Sequence, residues 1–301
     1  NNAGLKVNNQ TMEVDWVRVW TGTRSASSTV VVDNATTAET EAVGTWTTST
    51  ATGGYNGANY AHDGNTGKGT KSFHFYPSLT AQDDYAIYGR WTSDTNRATN
   101  APIHIYSADW FTNSFTVNQQ VGGGQWRLIT GLPLSPATAQ LTVGNENSNG
   151  YVIADAFRLV PAGAKTGAII VDNAETSKVL ATGTWAASSN TSGYYGADYL
   201  HDGNTGKGTR SFKFMPQIPT AKDYFVYARW TADPGRASNV PIDIVTTAGT
   251  QTVTANQRMG GGQWNLLGVY PLAAGTGSIT IRNTGTNGHV IADSIMVVPV
   301  P

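Results

Sequence analysis

"YAHDGNTGKGT" at residues 60–70 returns almost unchanged as "YLHDGNTGKGT" at 199–209, and the reading of the whole chain turns on that recurrence. Working outward from it, "VVDNA" (31–35) recurs as "IVDNA" (170–174), and "GTW" (44–46) recurs at 183–185. "YGRWTSDTNRATNAP" (88–102) returns as "YARWTADPGRASNVP" (227–241), "NQQVGGGQW" (118–126) as "NQRMGGGQW" (256–264), and "GYVIADAF" (150–157) as "GHVIADSI" (288–295). About half of the aligned positions are identical, and one residue has been gained or lost near 106–115. A unit this long is a complete fold present twice, since solenoid repeats run only about 20–50 residues. The copies span 29–161 and 168–301, and the small residues of 162–167 predict a flexible linker between them.

Within a copy nearly every segment alternates with period two, and no helical stripe extends beyond a few residues. In the first copy this predicts strands near 30–34, 42–50, 70–77, 84–92, 103–109, 112–119, 125–133, 139–145 and 151–160, separated by Gly, Pro, Asn and Asp clusters that suit turns. Short strands at this density predict an all-β fold: two tandem antiparallel jelly-roll β-sandwich domains.

In an antiparallel sandwich, successive connections alternate between the two ends. By that count the 51–69 segment, the 93–102 loop, the 120–124 glycines and the 146–150 turn share one rim, and convergent loops on a rigid scaffold are where binding sites usually sit. The repeat-matched residues of that rim are the candidate carbohydrate-binding set. Tyr55 and Tyr60, with Tyr194 and Tyr199, offer flat rings with polar tips, suited to the apolar face of a pyranose. His62, Asp63 and Lys68, with His201, Asp202 and Lys207, stand among turn glycines. Arg97, Asn100 and Gln119, with Arg236, Asn239 and Gln257, supply donors and acceptors for vicinal hydroxyls. Trp126 and Trp264 follow the glycine loop, although strand parity favours the core for them. Asp155 and Asp293, between apolar neighbours, read as buried structural carboxylates.

The composition narrows the partner. The chain has 301 residues, a net charge of −1, only 13% charged residues, 34 Gly and no Cys. It carries no basic excess for a phosphate backbone, so nucleic acid is excluded as a partner. No run reaches the roughly 18 apolar residues of a membrane helix. Absence of Cys removes disulfides, thiolate metal sites and a cysteine nucleophile. The "HDGNTGKG" spacing matches neither a Ca²⁺ loop nor a paired-His zinc motif, so no cofactor is expected, a structural Ca²⁺ being the alternative.

Each copy, from "VVDNA" through "GTW", "YAHDGNTGKG", "RWTSDTNRATNAP", "VNQQVGGGQW" and "GYVIADAFRLV", resembles the golvesin C-terminal-like β-sandwich domain. That family is appended to secreted polysaccharide-degrading enzymes, and the resemblance implies a non-catalytic carbohydrate-binding role. Separately, "MEVDWVRVW" (12–20) resembles the last strand of the catalytic jelly roll of glycoside hydrolase family 16. The catalytic signature of that family, Glu-x-Asp-x-x-Glu, is not present there: Glu13-Val14-Asp15 is followed by Arg18 where the second Glu would fall. Residues 1–28 are therefore expected to be the end of a covalently linked catalytic domain plus a linker.

These observations predict a secreted, monomeric pair of carbohydrate-binding modules. The expected ligand is a polysaccharide, a neutral galactan such as agarose first and a β-glucan or a lightly sulfated porphyran next, because a strongly sulfated glycan would favour a more basic rim. Two alternatives are a spacer or adhesion module without glycan affinity, and a polysaccharide lyase using His62, Tyr60 and Lys68. Duplicated binding modules raise avidity for a repeating polymer, which favours the binding reading over two active sites in one chain.

Overall fold

The computed structural model describes residues 27–108 and 111–301; the strand expected at 12–20 lies outside them. The first copy forms β1 (Val30–Asp33), β2 (Thr40–Val43), β3 (Thr47–Ser49), β4 (Tyr60–His62), β5 (Ser72–Phe75), β6 (Asp83–Arg90), β7 (Ala101–Tyr106), β8 (Thr112–Val117), β9 (Arg127–Leu134), β10 (Gln140–Gly144), β11 (Ile153–Ala154) and β12 (Ala156–Pro161). The second repeats it with β13 (Ile169–Asp172), β14 (Val179–Thr182), β15 (Ala186–Ser188), β16 (Tyr199–His201), β17 (Ser211–Phe214), β18 (Lys222–Arg229), β19 (Val240–Thr246), β20 (Gly249–Ala255), β21 (Asn265–Leu272), β22 (Ile279–Arg282), β23 (Ile291–Ala292) and β24 (Ser294–Pro299).

In each copy a four-stranded sheet, ordered β1-β12-β6-β9 or β13-β24-β18-β21, faces a five-stranded sheet, ordered β2-β5-β10-β7-β8 or β14-β17-β22-β19-β20. Among the described residues every pairing between these strands is antiparallel, and two isolated bridges, Arg97 with Tyr151 and Arg236 with His289, are parallel. Alternation packs the core: in β7, Ala101, Ile103 and Ile105 point inward while Pro102, His104 and Tyr106 point out. Phe73, Phe75, Tyr85, Ile87, Leu141 and Phe157 fill the first core, and burial of each such side chain contributes about 1.5–3 kcal/mol.

Two features depart from the predicted strands. The 42–50 and 151–160 segments each break into two strands, and Tyr60–His62, assigned to a loop, is a strand between β3 and β11 in a third, three-stranded sheet. Three residues are too few to show a period, so only the tertiary pairing reveals them.

The second departure concerns the linker. β6 and β18 are buried on both faces, because the outer faces of the two four-stranded sheets pack against each other through Ala86, Tyr88, Val160, Phe225, Tyr227 and Val269. The contact is pseudo-twofold. Across it Tyr88 donates to Asp223 (2.8 Å) and Tyr227 to Asp84 (2.9 Å); on each side separately, the Ala162 amide donates to the Asp84 carbonyl and the Val300 amide to that of Asp223. Lys165 reaches Asp84 and the Tyr227 hydroxyl, 4.4 Å from the Tyr227 ring centroid. Residues 162–167 are therefore tied to both sandwiches through Lys165.

Candidate functional site

The rim loops converge. Gly54 and Gly124 approach so closely that a Cβ on Gly54 would lie 3.0 Å from the Gly124 Cα, which joins the 51–69 segment to the glycine loop. Arg97 donates to the Thr52 hydroxyl, and Lys68 donates to the Gly150 carbonyl at 2.6 Å. All four loops placed at one end by strand counting are thus in contact.

"HDGNTGKG" repeats because its geometry demands it. Gly64, Asn65 and Gly67 have φ of 69°, 55° and 60°, matched by Gly203, Asn204 and Gly206 at 63°, 55° and 58°; this left-handed region suits Gly and Asn. The turn closes around Asp63, which is fully buried and accepts from the amides of Asn65 and Val152, from Asn145 Nδ2 and from Lys68 Nζ at 2.8 Å. Burial pushes its carboxyl up, but Lys68 and these donors prevail and hold it below the usual carboxylate range. Asp202 repeats the arrangement with Val290, Lys207, Asn204 and Asn283. Asp63 and Asp202 therefore pin the turn and do not face a ligand.

Several other expected contact residues are likewise consumed inside the fold. Gln119 is buried and pairs like a strand with Ile153, accepting its amide and donating to its carbonyl; Gln257 does the same with Ile291. Asn100 donates to the Asn147 carbonyl and accepts the Asn149 amide, stapling two loops; Asn239 donates to Gly285 and accepts from Asn287. Arg97 and Arg236 are only 6% and 8% exposed, each bonded to the hydroxyl of the buried Tyr60 or Tyr199. Trp126 and Trp264 turn to the interface between the copies, where Arg158 lies 5.3 Å from the Trp126 ring and the Tyr195 ring packs at a tilt against Trp264, centroids 5.6 Å apart. Alternation between apolar neighbours correctly marks Asp155 and Asp293 as structural: each accepts a backbone amide, from Asn56 or Tyr195. Burial, aided by the charge of Asp33 or Asp172, pushes them up to about 7.

What remains at the rim surface is a ladder of rings. Tyr55, Tyr60, His62 and Tyr151 follow one another with centroid spacings of 6.1, 6.3 and 5.7 Å; in the second copy Tyr194, Tyr199, His201 and His289 are spaced 6.1, 6.4 and 5.9 Å. Tyr60 and Tyr199 are the buried rungs, while the outer three rings of each ladder are half-buried. Tyr151 was not among the residues expected from sequence. Its signal was the retention of a ring at a position that differs between copies, Tyr151 against His289. His62 Nδ1 accepts the Gly64 amide at 3.1 Å, so its proton sits on Nε2. Burial, then the positive charge of Arg97, pulls His62 below its ordinary range, and burial with His289 and Arg236 does the same for His201. Each rim thus presents flat rings and a neutral imidazole. Among the described residues no group of three His, Asp or Glu side chains is arranged to hold a metal; Lys68 Nζ sits instead between Asp63 and the Gly150 carbonyl.

The family model of the Golvesin C-terminal domain matches residues 30–161 and again 169–299. The chain belongs to the Golvesin C-terminal domain family. As a Golvesin C-terminal pair it is 39% identical over 184 residues to the xanthan lyase of Bacillus sp. (strain GL1), an alignment covering 57% of this chain and 20% of that protein. The chain thus spans a fifth of the length of that relative. The solved Paenibacillus xanthan lyase is similar at 32% identity and a TM-score of 0.45, with 87% of this chain and 25% of that one covered. The tandem CBM22 domains of Paenibacillus barcinonensis Xyn10C align at 12% identity and a TM-score of 0.30, over 92% of this chain and 100% of theirs.

Proposed function

We propose that the two Golvesin C-terminal copies are non-catalytic, extracellular carbohydrate-binding modules of a polysaccharide-degrading enzyme, each gripping its polymer at the aromatic ladder of the rim. The observation that carries this is the ladder itself, built twice from rings whose outer members reach the surface. Aromatic faces supply burial for the apolar side of a pyranose at low conformational cost, and His62 Nε2–H supplies a donor to a hydroxyl. The residues read as ligand-facing are Tyr55, His62 and Tyr151, with Tyr194, His201 and His289.

Catalysis finds little at the rim. Hydrolysis of a glycosidic bond uses two carboxyl groups about 5–10 Å apart; of the rim carboxylates, Asp63 is buried and ion-paired, Asp94 accepts the Asn96 amide of its own loop, and Glu146 is bonded to His104. The lyase arrangement is weakened in the same way, since Tyr60 is 2% exposed and Lys68 is committed to Asp63.

Neutralisation of Lys68 supports a neutral polymer. The resemblance of 12–20 to family 16 hydrolases makes agarose the first to test, with the β-glucan laminarin next; the relatives named as xanthan lyases add xanthan. Pull-down and affinity electrophoresis on the three polymers decide the matter, and retention on none of them sinks this reading in favour of a spacer module. His62→Ala with His201→Ala is expected to weaken retention at least tenfold with little change in Tm. A large fall in Tm would make the motif a structural turn alone.

A further inference from the structure

The outer face of the five-stranded sheet of the first copy carries side chains that neither the core nor the rim uses. Strand register lines them up in rows. Across β2-β5-β10-β7-β8 one row runs Glu41, His74, Thr142, His104 and Ser114. The next runs Tyr76, Gln140, Tyr106 and Thr112, with Tyr76 one residue past the end of the β5 ladder. Tyr76 and Tyr106 are each 39% exposed and, two strands apart, stand about 10 Å from each other. That spacing is on the scale of two linked pyranose rings.

The face is fixed before any ligand arrives. His74 bonds through Nδ1 with Thr142 Oγ1 (2.8 Å) and through Nε2 with Ser72 Oγ (2.9 Å), and stacks on Tyr76 with centroids 6.3 Å apart. The Tyr76 hydroxyl donates to Glu41. His104 bonds with Ser114 Oγ (2.8 Å) and Glu146 Oε1 (2.6 Å). Side chains locked in this way lose little conformational freedom on binding, which is what a preorganised platform requires. Depressions lie at both ends of the rows, one of about 230 Å³ beside His104 and Ser114 that adjoins the rim at Asn100 and Glu146, and one of about 520 Å³ at the far end, where Tyr76 and Gln140 meet the turns 77–79 and 136–139.

The second copy shows that the sheet itself does not need these residues. The positions of Glu41, His74, Tyr76, His104 and Tyr106 hold Leu180, Lys213, Met215, Asp243 and Val245, and Asp243 is paired with Arg282 at 2.6 Å. The same fold stands there without aromatic rows. The rows of the first copy carry Glu41 and the adjoining Glu146 but no Lys or Arg, a charge pattern that repels an acidic polymer and accepts hydrogen bonds from hydroxyls.

We infer that this face is a second, open glycan-binding platform, for a neutral polysaccharide lying across Tyr76, Gln140 and Tyr106, present in the first copy and not in the second. It is separate from the rim of the proposed function. Affinity electrophoresis of the full chain with laminarin, and pull-down on agarose, test it. Tyr76→Ala with Tyr106→Ala is expected to weaken retention on at least one of these neutral polymers tenfold or more without moving retention on xanthan. Unchanged retention on both overturns the inference, as does failure of the parent chain to bind either. If the rim variant is silent and the sheet variant loses binding, the rim reading fails and this one stands; the reverse outcome overturns this one alone. A second measurement needs no variant: laminarihexaose or agarohexaose should protect Tyr76 and Tyr106 of the parent chain from nitration, and equal modification with and without either sugar counts against the platform.

Discussion

The two copies share half their residues and differ by location. The rim turn around Asp63 and Asp202 and the Gln119 and Gln257 pairings repeat in partners and distances, and the ring ladders repeat in spacing, with only the last rung changed from Tyr151 to His289. They part company most clearly at the outer sheet face, in the surroundings of Asp33 and Asp172, and at the point where the pseudo-twofold axis passes between β9 and β21. The lesson is that duplication preserved whatever the fold needs in each copy, while surfaces that meet something else were free to diverge.

The largest effect expected tests the shared part. Asp155 and Asp293, raised to about 7, hold their protons in the folded state at pH values where the unfolded chain has released them. Stability should therefore fall as pH rises from about 4 to about 7, on the order of 4 kcal/mol per copy. Asp155→Asn and Asp293→Asn should each flatten part of that slope in urea unfolding followed across the range. A slope removed by only one of them would break the equivalence of the copies.

The axis comes next. Gly131 and Val269 occupy equivalent positions and press on each other, so a Cβ at Gly131 would collide with the Val269 side chain and backbone. Gly131→Val is expected to cost about 3 kcal/mol by overpacking and to split thermal unfolding into two steps as the copies uncouple. Adding Val269→Gly should restore most of the loss, because the swap rebuilds the same contact from the other side. No recovery would mean that the interface is not twofold-related in the way the hydrogen bonds indicate.

The smallest effect sharpens the comparison. In the first copy Asn56 Nδ2 donates to Asp33 Oδ2 at 2.7 Å; in the second, Tyr195 stands in that place and Asp172 Oδ2 is buried without a partner. Burial, with the charges of Asp198 and Glu175, pushes Asp172 up. Tyr195→Asn should return the missing donor and stabilise by about 0.5 kcal/mol at neutral pH, a typical net hydrogen bond less the lost packing on Trp264. Asn56→Tyr should cost a similar amount, read as opposite shifts of the urea midpoint.

Much of this was legible in one dimension. Repetition established two copies of one fold, period-two alternation established strands, and counting connections brought the right four loops to one rim. Alternation also marked Asp155 as structural. Contact roles were not legible. Tyr60, Asp63, Arg97 and Gln119 look on paper like a sugar-binding set, since the donors and acceptors that recognise hydroxyls are the same ones that satisfy buried backbone. Tyr151 carries only a weak signal in the sequence, because it follows a turn and its ring becomes an imidazole, His289, in the second copy. The contact between the copies had a signal of its own in the unbroken apolar runs "YAIY" (85–88) and "YFVY" (224–227), which mark strands covered on both faces.

What the sequence determined by itself is the class of fold, its duplication and the end of each sandwich at which the matched loops meet, because hydrophobic period and turn chemistry are local. Only the tertiary structure decided which polar groups are consumed internally, that the supposed linker is clamped, and that one sheet face of the first copy presents organised rings to solvent. Those outcomes depend on cross-strand register and on partners many residues away, where a side chain's role is set by what lies opposite it and not by its neighbours in the chain.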